Sequence, residues 1–118
     1  DRLMGDLNAF GQMFESLVVR DLRVYAQVND GRVYHYRDSY GTEVDAIVQL
    51  RDGRWGAFEV KLGTGRIDEA AASLLRFSEA LDQERSGSPA VLGVITGTGL
   101  GYRRPDGVVV IPIGELGP

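Results

Sequence analysis

The sequence contains no cysteine, so disulfide bonds and thiolate metal sites are excluded. It contains a single histidine, His35, which rules out a metal site built from several imidazoles. No apolar run approaches the ~18 residues that a membrane-spanning helix needs. The first residues, DRLMGDLNAFGQ, are polar and acidic and do not resemble a signal peptide. These absences favour a cytoplasmic protein that does not bind a membrane.

The charge balance limits the ways in which the chain can bind a polyanion. Its net charge is -4, which argues against binding nucleic acid through bulk charge alone. Binding would then depend on local arginines and on a metal ion. Basic side chains that can form one face occur in the second half of the chain: Arg51, Arg54, Lys61, Arg66, Arg76, Arg103 and Arg104.

The length of 118 residues predicts one domain with one core, residues 1–118. Apolar spacing predicts helices over residues 6–24 and 66–85. A short extended piece is expected at 24–28, and strands are expected at 32–37, 43–50, 54–62, 90–96 and 107–113. The second helix can connect the three-strand meander to a parallel strand at 90–96. The predicted fold class is therefore α/β, a mixed central sheet flanked by helices.

The turn Arg51-Asp52-Gly53 decides where the acids of the flanking strands point. With a two-residue loop, Asp45 and Glu59 would point to opposite faces of the sheet. With a three-residue loop and a left-handed Gly53, Asp45 faces Glu59 directly, and Lys61 lies two residues along on the same face.

The apolar pattern favours the three-residue loop, because that register produces one continuous core face. The core face would contain Val44, Ala46, Val48, Leu50, Phe58, Val60 and Leu62. The other face would contain Asp45, Ile47, Gln49, Trp55, Ala57, Glu59 and Lys61.

Two carboxylates on opposed strand positions, with Cβ atoms ~5 Å apart, repel each other. Lys61 offsets part of that repulsion, and Mg²⁺ (or Mn²⁺) would offset more, because it prefers carboxylate oxygens, waters and substrate phosphates. The pattern leaves an alternative open, a cross-strand salt bridge on a solvated face of the sheet.

Asp45 followed by Glu59-Val60-Lys61 resembles the PD-(D/E)XK nuclease superfamily, and the element order resembles its restriction-endonuclease-like fold. Val44 stands where the superfamily's name has proline. The segments FGQMFESLVVRDL, YHYRDSYGTEVDAIV and FEVKLG resemble a domain of unknown function that usually follows an AAA+ ATPase domain in prokaryotic ATP-binding proteins. The resemblance extends from about Phe10 to Ile113 and implies a C-terminal piece of a longer ATPase.

The resemblance implies a role for each matching residue. Asp45 and Glu59 would bind Mg²⁺ (or Mn²⁺) with the carbonyl of Val60, and Lys61 would orient the attacking water or help to deprotonate it. Glu15, on the first helix, would hold the metal-bound waters; otherwise it is an ordinary surface acid.

DNA contacts are assigned to three side chains near this site, namely Tyr36, Arg37 and Arg66. The expected function is a Mg²⁺-dependent nuclease-like domain that acts on DNA and works with the AAA+ ATPase domain of the same chain. The alternative is a non-catalytic module that keeps the fold and binds nucleic acid, a protein partner or a second copy of itself.

Overall fold

A mixed six-stranded sheet lies at the centre of the computed structural model, which describes residues 15–16, 18–24, 26–28, 30–81 and 83–115. The strands are β1 (Arg32–Arg37), β2 (Glu43–Gln49), β3 (Trp55–Lys61), β4 (Val91–Thr96), β5 (Tyr102–Arg103) and β6 (Val109–Pro112). Their order across the sheet is β1-β2-β3-β4-β6-β5. The first three strands form an antiparallel meander, β3, β4 and β6 run parallel, and β5 is antiparallel to β6. The predicted mixed α/β arrangement is confirmed.

Three helices accompany the sheet in the described part of the chain. Helix α1 contains the described residues between 15 and 28, and it is followed by α2 (Ile67–Ala80) and α3 (Gln83–Ser86). Helix α2 is the predicted crossover between β3 and the parallel β4. Over the residues that the structure describes, no helix is both long and apolar enough to cross a bilayer.

Both faces of the sheet are buried, whereas the sequence predicted one core face and one face bearing the acids. Helix α1 covers one face with Val18, Leu22 and Ala26, against Phe58 and Val60 among others. Helix α2 covers the opposite face. Its cluster includes Trp55, Ala57, Leu74, Phe77, Val94 and Val110. The prediction that Trp55 and Ala57 lie on a non-core face is therefore wrong, because the crossover helix buries them.

Helix α1 extends further than predicted, and the expected extended piece at 24–28 is wrong. Its buried stripe continues from Leu22 to Ala26, so burial at that position outweighs the weak strand preference of Val24 and Val28, which are both exposed. The helix ends where Asp30 adopts a left-handed φ of 56°. There the Gly31 N–H donates to the Ala26 carbonyl at 2.6 Å, as in a Schellman motif. Predicted helical residues 6–14 lie outside the described residues.

Three other details of the predicted elements differ from the structure. The second helix ends at Ala80 rather than near residue 85, and a separate short helix, α3, follows it. The last strand is shorter than predicted and spans Val109–Pro112. The loop before it contains a short strand, β5, that pairs with β6.

The β2–β3 hairpin has the predicted register. Gly53 has a φ of 93°, its N–H donates to the Leu50 carbonyl at 3.0 Å, and Leu50 in turn donates to the Arg54 carbonyl at 2.8 Å. The three-residue loop is therefore confirmed. The paired residues are Gln49↔Trp55, Val48↔Gly56, Ile47↔Ala57 and Ala46↔Phe58.

An unpredicted bulge lies near the start of β2. Tyr34 pairs with Ile47 but Tyr36 pairs with Val44, so β2 has one more residue than β1 over this stretch. The bulge changes the alternation of side chains, and Val44 joins the α2-side cluster while Ala46 joins the α1-side cluster. The prediction that these two residues share a face is wrong for this reason.

Candidate functional site

The candidate site lies where the ladder between β2 and β3 opens. Backbone pairing ends at Ala46↔Phe58. Beyond that pair, Oδ2 of Asp45 accepts a hydrogen bond from the Val60 N–H at 2.7 Å. The side chain of Asp45 thus takes a position that a backbone carbonyl would occupy in a continued ladder, which fixes its carboxylate at the edge of β3.

Two further carboxyl groups approach Asp45 from different elements. Glu59, the residue before Val60 on β3, lies within hydrogen-bonding reach of Asp45. Glu15, on α1, reaches the same carboxylate. Asp45 is therefore the central member of a cluster that we call the acid cluster, Glu15, Asp45 and Glu59. Asp45 and Glu59 are the next positions in the predicted register, and their side chains lie close together.

Burial distinguishes this cluster from ordinary surface acids. Asp45 is only 7% exposed and Glu59 only 4%, while Glu15 is half-buried. A cross-strand salt bridge on a solvated sheet face, the alternative that the sequence left open, does not fit residues that are this deeply buried.

The electrostatics of the acid cluster favour protonation of two of its members. Burial, then the hydrogen bond with Asp45 and its charge, raise the pKa of Glu59 to about 10. Burial and the charge of Asp45 raise the pKa of Glu15 to about 7. In both cases the ionised form is disfavoured because it places a second negative charge beside Asp45 with little water to screen it.

Lys61 and Val60 complete the surroundings of the acid cluster. The half-buried Lys61 lowers the pKa of both Glu15 and Glu59, so its ammonium charge acts on the cluster as the sequence predicted. In an extended strand the N–H and C=O of one residue point to the same side. The Val60 carbonyl therefore lies on the same edge of β3 as the N–H that binds Asp45.

The predicted DNA-contacting residues have partners within the protein. The ring of Tyr36 lies 4.8 Å from that of Phe77, and its hydroxyl donates to Asp38 at 3.1 Å. Arg37 forms an ion pair with Glu43 at 3.2 Å and Arg66 one with Glu69 at 3.0 Å. Both arginine side chains are largely exposed, whereas Tyr36 packs against the α2-side core.

Sequence reasoning missed Glu43 as part of the site and treated His35 as an ordinary strand residue. The charge of Glu43 contributes to the raised pKa of both Glu15 and Glu59, so it lies close to the acid cluster. Its spacing of two residues from Asp45 was not a usable signal, because the bulge in β2 interrupts the alternation of side chains there. Nothing in the sequence indicated the bulge that brings His35 close.

The donor set fits a hard divalent cation. Carboxylate oxygens and a backbone carbonyl are the ligands that Mg²⁺ and Mn²⁺ prefer. A cation beside Asp45 would also offset the negative charge that, after burial, helps to raise the pKa values of Glu15 and Glu59. Asp45, Glu59 and the Val60 carbonyl are therefore the groups that would hold such a cation at the acid cluster.

Comparison with known proteins gives one result. The model of a family described as a domain of unknown function, DUF4143, matches residues 10–116. No curated protein and no solved structure matches the chain.

Proposed function

The chain belongs to the DUF4143 family, a domain of unknown function, and we propose that it is a Mg²⁺-dependent nuclease-like domain acting on DNA phosphodiesters. In this proposal the fold is restriction-endonuclease-like, and the domain is the C-terminal module of an AAA+ ATP-binding protein. The resemblance of Asp45 and Glu59-Val60-Lys61 to the PD-(D/E)XK pattern supports the first statement. The resemblance of the segments FGQMFESLVVRDL, YHYRDSYGTEVDAIV and FEVKLG to a domain that usually follows an AAA+ ATPase domain supports the second.

The observation on which the proposal depends is the convergence on Asp45. Its carboxylate accepts the Val60 N–H and lies within reach of both Glu59 and Glu15, although it is almost fully buried. An arrangement of acids that is unfavourable without a cation requires a compensating reason, and such arrangements concentrate at functional sites.

The residues of the site share the proposed chemistry. Asp45, Glu59 and the Val60 carbonyl would hold the cation, and a bound cation would polarise the phosphodiester and lower the pKa of its bound water. Glu15 accepts hydrogen bonds from waters at the site. Lys61 would orient the attacking water, and its ammonium group would stabilise negative charge on the phosphate.

A cleavage assay with variants of the site residues tests the proposal. The purified chain is incubated with single- and double-stranded DNA in Mg²⁺ or Mn²⁺, beside Asp45→Asn, Glu59→Gln and Lys61→Ala. We expect metal-dependent cleavage that each variant reduces at least ~100-fold, the range over which positioned acid–base groups act. Glu79→Gln, which removes one exposed negative charge from α2, is the matched control and should cleave as the unaltered chain does.

Absence of cleavage by a folded chain that binds no divalent metal would contradict the proposal. That outcome would favour the second reading, a non-catalytic module that binds nucleic acid, a protein partner or a second copy. Within that reading the net charge of -4 favours a protein partner or a second copy, because it weakens attraction to a polyanion when no cation is bound.

A further inference from the structure

A second group of potential ligands lies beside the acid cluster. The ligand atoms of His35, Glu43 and Asp45 all lie within 4.8 Å of one another. His35 Nε2 lies 3.5 Å from Glu43 Oε1. Metal–nitrogen and metal–oxygen bonds are ~2.0–2.2 Å long, so two donors on one ion lie at most ~4.4 Å apart. The exposed side chains of His35 and Glu43 would therefore need to move by at most a few tenths of an ångström to share an ion with Asp45.

The β2 bulge produces this convergence. Arg37↔Glu43 and Tyr36↔Val44 are paired on one side of the bulge and Tyr34↔Ile47 on the other. His35, between these pairs on β1, therefore lies opposite Asp45 and its neighbour Ala46. Bulges redirect side chains and are common beside active sites.

The exposure of the three residues suits an ion that enters from solvent. The side chains of His35 and Glu43 are 53% and 40% exposed, whereas Asp45 is buried and is held by the Val60 N–H. The site thus has one fixed carboxylate at its base and two ligands at its mouth. The ion pair between Arg37 and Glu43, at 3.2 Å, leaves the second carboxylate oxygen of Glu43 facing His35.

We propose that His35, Glu43 and Asp45 form a second cation site that binds a divalent transition-metal ion, with Asp45 shared between this ion and the one at the acid cluster. An imidazole ligand beside two carboxylates favours Mn²⁺, Fe²⁺ or Zn²⁺ over Mg²⁺, which takes oxygen ligands. The site does not require that the domain cleave DNA, because it depends only on these three side chains.

The single histidine makes a direct test available. Untagged chain is loaded with Mn²⁺ in the absence of DNA, and pulsed electron paramagnetic resonance is used to look for nitrogen coupling from imidazole. Any imidazole coupled to bound Mn²⁺ must come from His35, since the sequence has no other histidine. We expect this coupling in the unaltered chain, in Glu79→Gln and in Glu59→Gln, whose altered carboxyl group belongs only to the acid cluster.

Three variants complete the test. His35→Ala should abolish the nitrogen coupling and remove one Mn²⁺ from the number bound at saturation. Glu43→Gln and Asp45→Asn should each lower the affinity for the Mn²⁺ that shows the coupling at least ~10-fold. Changing a residue that only orients a metal ligand already costs ~10–100-fold in affinity, so changing a ligand itself should cost no less. Because His35 is half-exposed, its replacement should not prevent folding, and circular dichroism is the check on this.

Two results would overturn the proposal. One is bound Mn²⁺ without imidazole coupling in the unaltered chain. The other is coupling that persists in Glu43→Gln and in Asp45→Asn with unchanged Mn²⁺ affinity. That result would mean that His35 binds the ion without the two carboxylates. Loss of cleavage in Glu59→Gln with the coupling intact would show that this site is separate from the proposed catalytic site. Coupling in a chain that does not cleave DNA would support the second cation site equally.

Discussion

At the residue scale, Asp45 connects every part of the candidate site. It accepts the Val60 N–H, contacts the carboxyl groups of Glu15 and Glu59, and lies with His35 and Glu43 in the second group of ligands. Removing the side chain would leave the Val60 N–H without its partner, so an isosteric asparagine is the informative substitution.

The raised pKa values predict how stability depends on pH when no divalent ion is present. The folded-state pKa is about 7 for Glu15 and about 10 for Glu59, both above the ordinary value of 4.5. The protonated forms are thus favoured by folding, and the stability that they contribute is complete below the ordinary pKa. It is lost as the pH rises through the folded-state values.

We therefore expect thermal unfolding in a chelator to show that Glu59→Gln gains stability relative to the unaltered chain as the pH rises from about 5 to about 9. The relative gain should be at least ~1 kcal/mol, since each unit of pKa difference corresponds to ~1.4 kcal/mol. Glu79→Gln, altered at an exposed helix position, should follow the unaltered chain. Parallel pH profiles for all three proteins would show that Glu59 is not strained by its neighbours.

The sequence was informative about residues whose neighbours follow from one local turn. Asp45 and Glu59 could be paired because Gly53 specified the loop, and the loop specified the register. His35 and Glu43 could not be placed, because their approach depends on an irregular pairing between β1 and β2.

At the element scale, the β2–β3 turn sets the register on which the acid cluster depends. Gly53, at a φ of 93°, occupies backbone space that a side chain rarely tolerates. Gly53→Ala should lower the free energy of unfolding by roughly 1–2 kcal/mol, measured by urea denaturation. Gly63→Ala is the matched control, because it has open space for a Cβ and no such φ. An equal effect of the two changes would argue against the role assigned to the turn.

Other elements show what local patterns cannot specify. Helix α1 continues to residue 28 because Ala26 is buried against the sheet, a tertiary contact that outweighs the preference of valine for strands. Likewise, Trp55 and Ala57 are core residues because α2 covers their face. The acids on that face of the strand pattern led to the wrong prediction that the face lies outside the core.

At the scale of the whole molecule, the acid cluster lies beside a sheet that is covered on both faces by helices. The chain has a net charge of -4. Repulsion between this chain and DNA should make binding depend on the bound cation. Fluorescence anisotropy should show at least ~10-fold tighter DNA binding in Ca²⁺, which takes the same oxygen ligands, than in EDTA.

The same measurement on variants locates that dependence. Asp45→Asn should bind DNA equally weakly in Ca²⁺ and in EDTA, whereas Glu79→Gln should keep the full difference. DNA affinity that is as high in EDTA as in Ca²⁺ would point to binding through arginines alone.

Calorimetric titration of the unaltered chain, Asp45→Asn and Glu79→Gln with Mg²⁺ and with Mn²⁺ tests the central claim most directly. The account predicts saturable binding at or below millimolar concentration for the unaltered chain and the control, and its loss in Asp45→Asn while circular dichroism shows that the variant is folded. Heats that are indistinguishable from dilution for the unaltered chain, or binding that is the same in Asp45→Asn, would contradict a cation site built on Asp45.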